Sequence, residues 1–273
     1  MKVDLHLHTY FSDGIYSPAQ VVMKAKESGL DIISIADHDT TEGLDEAIEV
    51  GKELGIEVIP GIELSSSING TDIHILGYFI DWHDEVFQTH LRVFRELRVQ
   101  RAKRIVEKLN ALDIPLEFES VIEIAKNSSI SRVHIASALV KYGFVNDFYE
   151  AFNKYLGVGC PAYEKNIDLS PRKAIRLISE VGGLSFIAHP GKYISEVDLA
   201  TLIELGIDGI EVIHPSHNDE LVNYYRSIAD EYFLLESGGS DFHGGLRNDE
   251  NCLGKYTVPY KFVETMKKRL NLK

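Results

Sequence analysis

The feature that most constrains this chain is the regular alternation of short apolar segments with amphipathic ones over its first eighty residues. Strands are predicted over 3–8, 31–39, 56–65 and 72–80, and helices over 17–29 and 42–55. Each helical segment ends at a glycine, and the first begins at Ser17 and Pro18, an N-cap followed by a proline at the first helical position. Apolar strands joined by helices predict right-handed βαβ units and a parallel sheet.

This rhythm stops after about residue 83 and returns with a strand near residue 184. The intervening sequence is helical throughout, so we predict a helical insertion over 84–165, with 1–83 and 166–273 forming one α/β barrel domain of about seven strands. The insertion carries a basic run consisting of Arg92, Arg95, Arg98, Arg101, Lys103 and Arg104. Because its members fall on several sides of a 3.6-residue helix, the run is interpreted as a solvated face.

Composition excludes several classes of protein. The formal net charge of −14 argues against a sequence-independent grip on duplex nucleic acid, which needs a basic surface. The two cysteines, Cys160 and Cys252, form no CxxC motif and predict neither a disulfide framework nor a thiolate metal site. The N-terminus lacks a signal pattern, and no apolar run approaches the roughly 18 residues of a membrane helix. We therefore expect a soluble cytoplasmic protein without membrane partners.

Histidines and carboxylates gather where the predicted strands end. In the first strand, Asp4, His6 and His8 share one face because side chains alternate along a strand. Further members follow or lie in later strands: Asp13, Asp37, His38, Asp39, Glu63, His74, His189, Asp241 and His243. In a parallel barrel the carboxyl ends of the strands share one face, where active sites are built. Residues that are far apart in the sequence would then meet at one rim.

Six of these histidines and three of these carboxylates suffice for two or three metal ions, and such ligands suit Zn, Mn or Fe. The candidate ligands are His6, His8, Asp13, His38, Glu63, His74, His189, Asp241 and His243. Sites with metals about 3.5–4 Å apart are typical of phosphoester hydrolysis, in which a hydroxide bridging the metals attacks phosphorus. The sequence has no GxSxG, P-loop or GxGxxG motif. At single positions a purely structural role stays open. Asp13, for example, could form a turn with Gly14 instead of binding a metal.

Five segments of the chain resemble the PHP (polymerase and histidinol phosphatase) family. They are DLHLHTYFSDG, SIADHDTTEG, PGIELSS, FIAHPG and GGSDFHG, and they cover the barrel parts of the sequence. The resemblance implies a distorted (β/α)7, TIM-like barrel, the PHP fold, with up to three metals. It assigns His6, His8, Glu63 and Asp241 to one metal, and Asp13, His38 and His243 to a second. A third metal would share Glu63 and add His74 and His189.

Within this family, the chain is most similar to phosphoesterases that carry a helical insertion and remove the 3′-phosphate of nucleoside 3′,5′-bisphosphates. We hypothesise that Asp13, His38 and His243 position one side of a metal-bridging hydroxide and that Glu63 positions another. The segments SRVHIASALV and KYLGVGCPAY also resemble that group, which makes Arg132 and His134 candidates for holding a phosphate. His217 is a further candidate contact of a small phosphorylated nucleotide.

Three alternatives stay open. Some relatives of this kind trim short RNA from its 5′ end. Short oligonucleotides would then be the substrate, and the basic run would line a groove that binds them. Histidinol-phosphate phosphatase activity belongs to the same fold. A non-catalytic, metal-stabilised scaffold is the third alternative, but such a scaffold should lack several ligands, and this chain lacks none of the nine.

Overall fold

The computed structural model describes residues 1–126, 128–165, 169–192, 194–245 and 249–272. Its strands are β1 Lys2–Leu7, β2 Ile32–Ile35, β3 Glu57–Ile68, β4 Thr71–Tyr78, β5 Leu184–Ile187, β6 Gly209–Ile213, β7 Leu235–Gly238 and β8 Val258–Pro259. Its helices are α1 Pro18–Glu27, α2 Leu44–Leu54, α3 Glu85–Asn110, α4 Phe118–Ala125, α5 Arg132–Lys141, α6 Phe148–Ala151, α7 Pro171–Glu180, α8 Glu196–Glu204, α9 Asp219–Tyr232 and α10 Tyr260–Arg269. A π-helical turn, Phe152–Leu156, continues α6.

The eight strands form one sheet in the order β7-β6-β5-β4-β3-β2-β1-β8. The sheet curls until its ends approach each other, because Leu7 at the end of β1 forms a parallel bridge with Phe242 beyond β7. Gly239 permits this approach, since a Cβ atom there would lie 2.5 Å from the backbone nitrogen of His6. The predicted distorted, TIM-like α/β barrel is confirmed.

The prediction of a parallel sheet is wrong at the two-residue β8, which pairs antiparallel with β1, and at β4. This strand pairs antiparallel with both β3 and β5. Only Asn69 and Gly70 separate β3 from β4, and both have positive φ angles, 49° and 88°. A parallel neighbour would need a crossover of a dozen or more residues, whereas Asn-Gly is the strongest short signal for a hairpin. β4 therefore runs back along β3.

Helix boundaries follow the local signals. Ser17 caps α1 in a capping box with Gln20, and Pro18 occupies the first turn. Gly55 ends α2 in the left-handed conformation, with φ at 69°. Among the described residues, none of the helices combines the length and apolar character that a bilayer crossing requires.

The helices between β4 and α7 build a hydrophobic cluster of their own, with members from Ala102 to Ala162. The first half of α3 instead packs into the main barrel cluster through Phe87, Leu91 and Phe94. We propose the division into a barrel of 1–83 and 166–273 and an inserted subdomain of 84–165. Its second boundary falls at residues 166–168, which lie outside the described residues.

Candidate metal centre

The nine candidate ligands converge at one end of the barrel. β1 presents His6, and His8 follows that strand directly. His38, beyond β2, forms a parallel bridge with Glu63 in β3, and His74 reaches the same place from the antiparallel β4. Asp13 lies in the loop between β1 and α1, and the others follow later strands: His189 after β5, and Asp241 and His243 after β7. Closure of the sheet thus turns a set scattered over the whole sequence into a cluster.

Glu63 lies at the centre of the cluster and contacts five imidazoles, those of His6, His8, His38, His74 and His189. Its Oε2 atom lies 3.0–3.4 Å from the nearest nitrogens of the first three. Its Oε1 atom lies 2.9 Å from the nearest nitrogens of the last two. A carboxylate placed in this way can share its two oxygens between neighbouring cations.

Two further carboxylates flank Glu63. Asp241 Oδ1 lies 3.1 Å from His8 Nε2 and 3.4 Å from His6 Nε2. Asp13 Oδ1 lies 3.2 Å from His243 Nε2 and 3.7 Å from His38 Nε2. The backbone at Asp241 is left-handed, with φ at 49°, a conformation that non-glycine residues adopt mainly where the surroundings enforce it.

The ligand atoms fall into four overlapping groups, within each of which all atoms lie within 4.8 Å of one another. The groups are His8/Asp13/His38/His243, His6/His8/Asp241, His6/Glu63/His189 and His38/Glu63/His74. Each of the three ligand sets implied by the family resemblance has members in at least one of these groups. Which ion each side chain holds stays a prediction.

The donor set fits divalent cations. Within the described part of the chain, His6 Nε2, His8 Nε2, His38 Nδ1 and Glu63 Oε2 are buried and lie close to one another, but none of them forms a hydrogen bond of normal geometry. A buried polar atom without a partner costs about 1–3 kcal/mol, so several facing one another need a compensating ligand. Burial also holds the pKa of the His38 imidazole well below its usual range, although the negative charge of Glu63 acts to raise this pKa. His38 is then neutral near pH 7 and has a lone pair to donate.

Sequence reasoning missed two residues behind and beside the cluster. Glu211 in β6 is buried, accepts a hydrogen bond from His6 Nδ1 at 2.9 Å and accepts another from the backbone N–H of His189 at 2.6 Å. His214, one residue past β6, places Nε2 3.4 Å from Asp241 Oδ2. The signal for His214 was present, because a histidine directly follows the apolar segment that ends at Ile213.

Of the Asp-His-Asp triplet at 37–39, only His38 faces the cluster. Asp37 accepts hydrogen bonds from the Thr9 backbone N–H at 2.7 Å and from the Ser12 hydroxyl at 2.5 Å. It therefore holds the loop that carries Asp13. Asp39 turns the other way and pairs with Arg98 Nε at 2.6 Å.

The interpretation of the basic run as a wholly solvated face is wrong for Arg98 and Arg101, which are 4% and 6% exposed. Both line a cavity of about 290 Å³ together with Arg132, and three of the candidate ligands, Asp13, His38 and His74, also line it. Arg98 is fixed by Asp39, by the Ser65 hydroxyl at 2.6 Å and by the Ile130 carbonyl at 3.1 Å. The cavity thus joins the ligand cluster to a basic wall.

Arg101 is the least compensated of these guanidinium groups. It donates twice to the Glu164 carbonyl, at 2.9 and 3.1 Å, and among the described residues no carboxylate forms an ion pair with it. Burial and the neighbouring charges of Arg132 and Arg98 lower its pKa to about 10, so it stays charged near pH 7. Three buried or half-buried positive groups around one cavity favour an anion there.

The three predicted phosphate contacts have different surroundings. Arg132 lines the cavity and lies 3.9 Å from Asp72. His134 is buried, accepts a hydrogen bond from the Ser131 backbone N–H and lies 3.2 Å from the Ser128 hydroxyl. His217 uses both ring nitrogens on backbone groups, donating to the Val212 carbonyl and accepting from the Gly191 N–H. The structure brings only Arg132 to the arginine-lined cavity.

Comparison with known proteins agrees with this geometry. Residues 4–236 match the PHP domain family. A 3′,5′-nucleoside bisphosphate phosphatase of Chromobacterium violaceum is 36% identical over 252 residues, covering 89% of this chain and 87% of that protein. A 5′-3′ exoribonuclease of Haemophilus influenzae is 35% identical over 248 residues, covering 89% of this chain and 90% of that protein.

A solved structure from Bifidobacterium adolescentis, named for a metal-dependent phosphoesterase, superimposes with a TM-score of 0.90 at 32% identity. The superposition covers 98% of this chain and 96% of that one. Likeness of this extent includes both the barrel and the helices between β4 and α7, so it does not rest on the ligand motifs alone. We conclude that this protein belongs to the PHP family and is a phosphoesterase.

Proposed function

We propose that this protein removes the 3′-phosphate from nucleoside 3′,5′-bisphosphates, using two or three divalent ions of Mn, Zn or Fe. One observation carries the proposal: a cavity with three arginines opens directly beside the ligand cluster. A substrate with two phosphates meets both surfaces at once, since one phosphate faces the cluster while the arginines hold the other. The relative from C. violaceum, which bears the name of this activity, supports the same substrate class.

Divalent ions held by the candidate ligands would, when bound, supply an activated water for attack on phosphorus and neutralise charge on the phosphoryl oxygens. The chain's own part is to hold and orient. Glu63 and Asp13 present carboxylate oxygens towards the cluster, while His38 and His243 flank Asp13. Arg98 and Arg101 bind the second phosphate through guanidinium groups whose geometry is fixed before the substrate arrives.

The second candidate function is 5′-3′ degradation of short RNA, because a relative of nearly equal similarity carries that name. Its 5′-terminal phosphate would meet the same arginines, but the chain must then accept further nucleotides beyond the first. The net charge of −14 provides little attraction for them.

A substrate comparison tests the proposal. The purified chain is stripped of metal, reloaded separately with Mn, Zn and Fe, and assayed for phosphate release from adenosine 3′,5′-bisphosphate. A 5′-phosphorylated short RNA and histidinol phosphate are assayed in parallel, and bound metal is measured on the same samples. We expect the highest kcat/KM on the bisphosphate. No release of its phosphate with any metal would refute the proposal, and faster cleavage of the RNA would favour the second candidate.

A further inference from the structure

A second, larger cavity of about 670 Å³ lies between the loop after β1 and the helices α4 and α5. Its lining is mainly apolar and aromatic, and includes Tyr10, Phe11, Ile15, Ile124, Val133 and His134. The two parts of the chain that form it are joined by a hydrogen bond from the Ser129 backbone N–H to the Phe11 carbonyl at 2.8 Å. The barrel and the helical segment therefore both contribute walls.

Three apolar side chains of this loop, those of Tyr10, Phe11 and Ile15, are not used by the core. Tyr10 is 44% exposed and Ile15 is 46% exposed. Neither these two nor Phe11 belongs to any of the hydrophobic clusters formed by the described residues. Exposed apolar groups that line a concave surface indicate a ligand-binding site, because a surface that only faces water is rarely both concave and apolar.

The loop is fixed in shape although the side chains of Tyr10 and Ile15 are exposed. Tyr10 N–H donates to the Tyr16 carbonyl at 2.9 Å, and Gly14 N–H donates to the Thr9 carbonyl at 3.0 Å. Only glycine fits at position 14, because a Cβ atom would lie 2.7 Å from the His8 carbonyl oxygen. Tyr10 is thus presented on a rigid backbone, which reduces the entropy lost when a ligand binds.

The apolar cavity adjoins the arginine-lined one, because both are lined by Asp13 and Val133. One side of this shared wall offers cationic groups for phosphate, and the other offers a tyrosine and a phenylalanine ring. A ligand that bridges them is anionic at one end and flat and aromatic at the other. A nucleotide has this distribution of charge and shape.

We propose that the apolar cavity is the base subsite, in which Tyr10 stacks on the nucleobase of a phosphorylated nucleoside. The inference rests on the proposed function for the phosphate end, and it adds where and how the base is held. Stacking is tolerant of base identity, because every base has a π face. The subsite therefore accepts purines and pyrimidines and rejects sugar phosphates that lack a base.

Binding separates this inference from the hydrolytic proposal. The full chain is titrated calorimetrically, in EDTA so that neither ligand is hydrolysed, with adenosine 5′-monophosphate and with ribose 5-phosphate. We expect adenosine 5′-monophosphate to bind about tenfold or more tightly, in line with the strength of stacking on one aromatic ring. The result does not depend on which phosphate the enzyme cleaves.

Three variants locate the preference. Tyr10→Ala should reduce the ratio of the two dissociation constants to about one to three, and Tyr10→Phe should keep the wild-type ratio, because stacking needs the ring and not the hydroxyl. Tyr232→Ala is the matched control, since Tyr232 is similarly exposed at 47% but ends α9 on the barrel. Its ratio should equal that of the wild type.

Equal affinity of the wild type for the two ligands would overturn the base subsite, whether or not the bisphosphate is hydrolysed. An undiminished ratio in Tyr10→Ala would overturn the part assigned to Tyr10. Conversely, a tenfold preference lost in Tyr10→Ala, together with no hydrolysis of adenosine 3′,5′-bisphosphate, would support the subsite and refute only the proposed reaction.

Discussion

Glu211 illustrates how much of the candidate site lies behind its ligands. Its carboxylate accepts from His6 Nδ1 at 2.9 Å, which leaves His6 Nε2 as the nitrogen that faces Glu63 and Asp241. A carboxylate behind an imidazole fixes its tautomer and ring orientation and raises its basicity. Glu211 is therefore a positioning residue, and His6 remains the candidate ligand that it orients.

Replacing Glu211 with glutamine tests this role. We expect Glu211→Gln to weaken Mn binding about 10- to 100-fold, because the amide no longer holds His6 in one tautomer. Calorimetric titration with Mn measures the affinity, and excess Mn should restore phosphate release, which a folding defect would not allow. Glu236→Gln, on neighbouring β7 and paired with Arg226, serves as the control. Affinity within twofold of wild type in Glu211→Gln would contradict the role.

At this scale the sequence predicted which side chains converge but not which support them. The candidate ligands were recognisable because histidines and acids recur where apolar strands end. Glu211 lies inside an apolar strand, where a single acid gives no periodic signal, and its function depends on β6 packing beside β5 and on the closure near β1. His214, in contrast, directly follows an apolar strand, so the reasoning that identified the candidate ligands also applies to it.

At the scale of elements, α3 shows why the basic run was misread. The buried positions Phe87, Leu91, Phe94, Arg98, Arg101 and Ile105 follow one another at spacings of four and three residues. That spacing marks a single helix face, and two arginines occupy it where apolar residues would continue the core. The positive charge of the run suggested that all its members face solvent. The spacing of Arg98 and Arg101, which continues that of the buried apolar residues, instead predicts that these two are buried.

The pair of Arg98 and Asp39 anchors α3 to the barrel, and its removal should be costly. Arg98→Met leaves Asp39 buried without its partner, so we expect the free energy of unfolding to fall by about 3–5 kcal/mol. Chemical denaturation measures the change. Adding Asp39→Asn to Arg98→Met removes the uncompensated charge and should recover a large part of the loss. A double variant no more stable than Arg98→Met would contradict the coupling.

Arg101 offers a test of the second phosphate. Arg101→Met removes a charged hydrogen bond worth about 1.5–3 kcal/mol, so kcat/KM on adenosine 3′,5′-bisphosphate should fall about 10- to 100-fold. Adenosine 3′-monophosphate lacks the 5′-phosphate, and its kcat/KM should change little. Arg92→Met, an exposed arginine of the same helix, is the control. An equal fall on both substrates would show that Arg101 does not bind the second phosphate.

At the scale of the whole molecule, the site depends on sheet closure. Apolar strands and helix caps predicted the α/β barrel, but periodicity carries no information on strand direction, and β4 was placed parallel although Asn69 and Gly70 form a hairpin. The candidate ligands come from both ends of the chain, from His6 to His243, and each contacts a ligand from a different strand. Binding of ions should therefore stabilise the closed barrel as a unit.

Thermal unfolding measures this linkage. A ligand that binds only the folded state stabilises it by RT ln(1 + [L]/Kd), about 2.7 kcal/mol at a hundredfold excess over Kd. For a chain of this size that corresponds to a rise in Tm of about 5 °C when Mn is added to the metal-stripped protein. Glu63→Gln should abolish most of the rise, because Glu63 contacts five of the six candidate histidine ligands. Glu57→Gln, on the same strand but paired with Lys267 at the surface, should keep it. An unchanged Tm in the wild type, or an equal rise in Glu63→Gln, would mean that the cluster does not hold the barrel together through bound ions.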